Sequence, residues 1–131
     1  MSLRRILSLW LPVGAFMALL YFLSSRADLI IASPPGWDKV LHAAAYAILA
    51  GLAIRAFHGG VGRLALWPTV LALLLTVAYG MLDEIHQSRV AGRDASVLDW
   101  VADVTGAGLS VALLGVLALL RSKSLEEDTK S

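Results

Sequence analysis

The sequence predicts an all-α, polytopic integral membrane protein: four transmembrane helices in a bundle, with both termini on the inner side. Three observations carry that expectation. Hydrophobic residues make up 58% of the 131 residues and charged ones only 16%, against about 45–50% and 25% in an average soluble domain. The apolar excess falls in four long runs, each near or above the ~20 residues a helix needs to cross hydrocarbon. The connections between the runs are short and rich in helix-breaking residues, which leaves no room for a soluble domain between them. Residues 1–120 therefore read as one four-helix membrane domain, and 121–131 as a disordered charged cytoplasmic tail.

The first run spans about Ile6 to Ser24, behind Arg4 and Arg5. It is longer than the ~7–15 apolar residues of a signal-peptide core, so it reads as a retained helix. Ser33-Pro34-Pro35-Gly36 cannot continue a helix and reads as an exposed bend. The second run spans Trp37 to Phe57, and His58-Gly59-Gly60-Val61-Gly62 is a flexible loop. The third spans Leu66 to Gln87, with Pro68 in the first turn, where a missing N–H costs nothing. Ser88 to Ser96 is a charged connection, and Ser96 is a candidate N-cap for the fourth run, Val97 to Leu120. Trp10, Trp37, Trp67 and Trp100 each fall near a run's start, as suits residues that favour the membrane–water interface.

Charge sets the orientation. One side of the membrane would hold Arg4, Arg5, Arg55, Arg63, Arg121, Lys123 and Lys130, and the other Arg26, Lys39, Arg89 and Arg93. The richer side belongs inside. A net charge of +1 with no basic block gives no basis for a nucleic-acid partner. The absence of cysteine excludes disulfides and thiolate metal sites.

This topology collects polar residues from distant positions at the outer face. The second helix brings Asp38, Lys39, His42 and Tyr46, of which Asp38, His42 and Tyr46 are four apart along one stripe. The third ends there with Tyr79, Asp83, Glu84, His86 and Gln87. The fourth begins there with Asp99 and Asp103, after Arg93, Asp94 and Ser96. Asp103 lies about 9 Å along its helix from Val97. A lone carboxylate at that depth costs about 2–3 kcal/mol or more, so Asp103 needs a polar cavity or a partner, with Arg93 and Lys39 as candidates. The acids outnumber the nearby bases, which points to a bound cation or proton as well as to a structural ion-pair network. A divalent metal is one cofactor the set could hold, with His42, Asp83, His86, Asp99 and Asp103 as candidate ligands. Small residues form stripes on the fourth helix (Gly106, Ser110, and the offset Gly108, Ala112, Gly115) and on the second (Ala43, Ala47, Gly51). They predict close packing inside the bundle ahead of dimerisation, although an oligomer stays open.

Three blocks then stand in a familiar order. They are Asp38-Lys39-x-x-His42-x-x-x-Tyr46, Asp83-Glu84-Ile85-His86-Gln87, and Gly92-Arg93-Asp94-Ala95-Ser96-x-x-Asp99-x-x-x-Asp103-x-x-Gly106. The arrangement resembles the VanZ-like family of small bacterial membrane proteins, over about Asp38 to Gly115. The resemblance implies a multi-pass protein of the bacterial cytoplasmic membrane, in a family whose founding member is linked to low-level resistance to teicoplanin, an acylated glycopeptide. It implies motif positions at Asp38, Lys39, His42, Asp83, Glu84, His86, Gln87, Arg93, Ser96, Asp99 and Asp103, and no settled activity. This chain has Ala91 where the family often has proline, Arg89 where an aromatic is common, and Ser110 at a frequent glycine.

Three functions are compatible with these residues. The first is a non-catalytic module of the cell envelope that binds a lipid-linked, amphiphilic or glycopeptide ligand, with Arg93, Lys39 and Arg89 on anionic head groups. The second is an enzyme on an envelope lipid or its phosphate, with metal-activated water or His86 and Glu84 as acid and base. The third is a proton- or ion-coupled transporter. No metalloprotease spacing, nucleophile elbow or Walker loop is present.

Overall fold

The computed structural model describes residues 2–26, 34, 36–60, 64–93 and 95–128, with side chains as far as Ser124. Among them are four helices: α1 (Leu3–Ser24), α2 (Trp37–Phe57), α3 (Leu66–Gln87) and α4 (Val97–Asp128). All four are long and apolar enough to cross a membrane. Much of the Ser33–Gly36 bend, together with Arg63, Asp94 and Lys130, lies outside the described residues.

Two boundaries differ from the sequence expectation. Helix α1 starts at Leu3, before the apolar run, with the Ser2 hydroxyl accepting the Arg5 N–H at 3.4 Å as a cap. Helix α4 continues to Asp128, so the tail expected to be disordered from Arg121 is helical through that residue. The reason is local. No glycine or proline follows Gly115 to stop the helix, and Leu, Lys, Arg and Glu are good helix formers. The apolar run ends where hydrocarbon would end, and that need not be where a helix ends.

Cross-helix contacts fix an up-down-up-down arrangement. Arg5 Nη2, at the start of α1, donates to the Gly59 carbonyl just past α2 at 2.9 Å, so these helices are antiparallel. Tyr79 Oη donates to the Met17 carbonyl at 2.6 Å, and Ser25 Oγ lies 2.9 Å from His86 Nε2, so α1 and α3 are parallel. Trp100 Nε1 donates to the Val77 carbonyl at 3.3 Å, which sets α4 antiparallel to α3. The end of α1, the start of α2, the end of α3 and the start of α4 therefore share one end of the bundle.

Helices α2 and α4 lie closest. A Cβ on Gly106 would stand 2.7 Å from the Ala43 carbonyl carbon and 2.9 Å from its Cα. A Cβ on Gly51 would meet Ser110 Oγ at 3.3 Å. The two small-residue stripes face each other within one chain, as small-xxx-small contacts do when backbones approach closely. Gly108, on the offset stripe, has nothing within 4 Å of its would-be Cβ.

The end of the bundle that holds the start of α1 and the end of α2 has an apolar interior of Leu9, Val13, Leu49, Ala50, Ala53, Ile54 and Ala56. One polar detail there was not anticipated. Pro12 lies inside α1 and supplies no N–H to the Ser8 carbonyl. Arg55 Nη1 donates to that carbonyl instead, at 3.1 Å. Large apolar side chains such as Leu41, Leu74, Leu82, Leu109 and Leu113 are exposed around the bundle, the pattern expected of a surface that meets lipid.

Candidate functional site

The other end of the bundle is where the polar residues converge. Asp83, Glu84, Gln87, Asp99 and Asp103 are all buried there, with Asp103 only 1% exposed. The local sequence explains how each is placed. Ser96 caps α4, its hydroxyl accepting the Leu98 N–H at 3.2 Å. Its own N–H donates to Glu84 Oε2 at 2.8 Å, which ties the end of α3 to the start of α4. From that cap, Asp99 and Asp103 follow four residues apart and both turn towards α2.

Two cross-helix pairs connect α2 with α4. Lys39 Nζ bonds Asp38 Oδ2 at 2.7 Å and Asp99 Oδ1 at 2.9 Å. His42 Nδ1 lies 2.9 Å from Asp103 Oδ1. Asp103 thus takes His42 as its partner, where Lys39 and Arg93 had been the expected ones. Lys39 is committed one turn nearer the end of the bundle, because Lys39 stands beside Asp99 in the same register that puts Ala43 against Gly106.

The α3 residues divide between two neighbours. Asp83 Oδ2 accepts from Gln87 Nε2 at 3.0 Å within the bundle. Tyr79 and His86 turn to α1, where His86 meets Ser25 and lies 4.2 Å, centroid to centroid, from the Tyr21 ring. His86 therefore stands apart from the carboxylates with which it was grouped as a metal candidate. Tyr46 is fully buried, its ring parallel to His42 at 6.4 Å. Arg89 is exposed beyond the end of α3.

Several buried polar atoms lack a partner among the described residues: Tyr46 Oη, Asp83 Oδ1, Glu84 Oε1, Arg93 Nε and Asp103 Oδ2. Folded proteins pair nearly all such atoms, since each orphan costs about 1–3 kcal/mol. Five such atoms fall in this one region. Beside them opens a cavity of about 300 Å³. Leu20 and Leu23 of α1 with Leu41 and Ala45 of α2 form its apolar wall. Asp38, His42, Tyr46, Asp83, Gln87 and Arg93 form its polar one. Glu84 borders a second hollow on the far side of α3, with Met81, Ile85 and Trp100.

Arg93 reaches this wall from the connection between α3 and α4. Gly92 precedes it at φ 83°, a left-handed conformation suited to glycine, and the Arg93 N–H closes the turn onto the Val90 carbonyl at 3.1 Å. The sequence reading missed three residues of this site. Leu20 and Leu23 looked only like membrane-facing residues of the first run, and Gly80 was not distinguished at all. A Cβ on Gly80 would lie 2.8 Å from Asp103 Oδ2 and 3.2 Å from Tyr46 Cε1. Its position one turn before Glu84 on the same helix was the available signal.

No family model matches the chain, and neither curated proteins nor solved structures give a match.

Proposed function

We propose that this chain is a multi-pass protein of the bacterial cytoplasmic membrane, with both termini inside, that binds an amphiphilic or lipid-linked ligand with an anionic head group at its outer end. The carrying observation is the cavity between α1 and α2, lined by leucines and by Arg93. An acyl chain suits the leucines. A phosphate or carboxylate suits a guanidinium, whose charge-assisted bonds are the strong ones. Of the three cations first considered for the head group, Lys39 is engaged by two carboxylates and Arg89 is exposed. Arg93 remains the one to carry it. The likeness of the three sequence blocks to VanZ-like proteins agrees with a role in the envelope, and an acylated glycopeptide is one amphiphile to try.

The test is equilibrium binding of a fluorescent anionic phospholipid and of acylated glycopeptide to the purified full chain in neutral detergent. We expect saturable binding of the anionic lipid, weakened at least about 10-fold by Arg93→Ala, equivalent to about 1.4 kcal/mol. Equal affinity of wild type and Arg93→Ala would refute the reading. The transport alternative draws less support, because the described interior at the opposite end is apolar.

Orientation has its own check. Because the chain has no cysteine, single cysteines report cleanly. In intact cells, a membrane-impermeant maleimide should label Arg89→Cys and spare Ser122→Cys, two exposed positions at opposite ends. Labelling of Ser122→Cys alone would invert the topology.

A further inference from the structure

Three polar side chains, His42 of the cavity wall and the buried Glu84 and Asp103, converge on a point that the ligand reading does not use. A ring nitrogen of His42 and one carboxylate oxygen each from Glu84 and Asp103 lie within 4.8 Å of one another. They come from α2, α3 and α4, so the point sits where three helices meet.

Each carboxylate divides its work. Asp103 Oδ1 is held by His42 and Glu84 Oε2 by the Ser96 N–H, while Asp103 Oδ2 and Glu84 Oε1 have no partner. For Glu84 this is how metal-binding carboxylates are commonly oriented by an outer hydrogen bond, whereas at Asp103 the His42 hydrogen bond gives way as that ring nitrogen turns from proton donor to ligand. The Asp103 side chain has no solvent exposure, so bulk water does not reach it. Gly80 makes room at that oxygen, since any Cβ there would crowd it.

Charge points the same way. Lys39 is saturated by Asp38 and Asp99, and Gln87 brings Asp83 a neutral amide. Among the described residues, that leaves the buried carboxylates of Glu84 and Asp103 with His42 as the basic side chain in contact with Asp103 and none bonded to Glu84. Unpaired buried carboxylates are costly, and a doubly charged ion offsets two of them at once.

We infer that His42, Glu84 and Asp103 form a site for a divalent first-row transition ion of the zinc or manganese kind. One nitrogen and two oxygens suit those ions. Calcium and magnesium prefer shells made of oxygen alone. Ligands at about 2.0–2.2 Å from a zinc ion sit closer together than 4.8 Å, so side chains draw inward by small rotations on binding. Three protein ligands leave at least one coordination position open. The inference is independent of the amphiphile reading, and its probe is the metal alone.

The experiment uses the full chain, with any tag removed, stripped with chelator and folded by circular dichroism. Zn²⁺ and Mn²⁺ are titrated against a competing chromophoric chelator, with Ca²⁺ and Mg²⁺ in parallel, and Co²⁺ is added for its visible spectrum. We expect one Zn²⁺ per chain, cobalt d–d bands, and at least about a 100-fold loss of affinity in both His42→Gln and Asp103→Asn. His58→Gln, at the opposite end of the bundle, should bind as wild type. Absence of saturable transition-metal binding by folded wild type overturns the site. So does an affinity unchanged in both ligand variants, or a preference for Ca²⁺ or Mg²⁺. Because wild type itself is the primary sample, failure of a variant to fold leaves the test intact.

Discussion

Gly106→Ala should lower the stability of the bundle by about 2–3 kcal/mol, the cost of forcing a methyl group into a closed contact. Alanine is ordinarily the better helix residue by about 1 kcal/mol, so the sign of the change is itself diagnostic. The added methyl would meet the Ala43 backbone, and backbone cannot swing aside as a flexible side chain does. The α2–α4 distance has to grow, and with it the Lys39–Asp99 and His42–Asp103 separations. Gly108→Ala, two residues on and facing open space, is the matched comparison and should be neutral or slightly stabilising. Thermal unfolding in detergent measures both. Equal melting temperatures for the two variants would mean that α2 and α4 are not in backbone contact.

Lys39→Met should destabilise the bundle by stranding Asp99, which is only 6% exposed. The loss is smaller than for a fully buried pair because the lysine side chain is 39% exposed and partly screened. Adding Asp99→Asn to Lys39→Met removes the stranded charge and should recover about half the loss. A double-mutant cycle by denaturant unfolding gives the coupling directly. A coupling near zero would show that the lysine stabilises through its stem or through Asp38 and not through Asp99.

Much of this architecture was legible in advance because it depends on length and hydropathy. The limits of α2 and α3 follow from an apolar run closed at each end by proline, glycine or charge, and the gathering of Asp38, Asp83 and Asp99 at one end follows from alternation alone. Pairing was not legible. Whether Asp103 meets Lys39 or His42 depends on the axial register of α2 against α4, and a single backbone contact at Gly106 decides that register. The metal candidates show the same limit on α3. Asp83 and Glu84 are neighbours about 100° apart on the helix, both are buried, and no sequence pattern says which one faces His42. His86 shares a stripe with Asp83 by spacing, yet α1 occupies that side and takes the histidine for Ser25. Helix α4's end was hidden for a different reason, since hydropathy reports where lipid stops and not where hydrogen bonding stops.

Pro12 and Arg55 have a consequence for how the first helix is seated. Leucine-rich surfaces are interchangeable from turn to turn, so α1 could slide along α2 by one helical pitch of about 5.4 Å and still find apolar neighbours. Only one carbonyl on α1 is freed by a proline, and the guanidinium opposite reaches it at a single height. The pair works as a detent, making one of several near-equal seatings the lowest. Since Leu20 and Leu23 travel with α1, the shape of the cavity wall at the far end is set by a notch about three to four turns away.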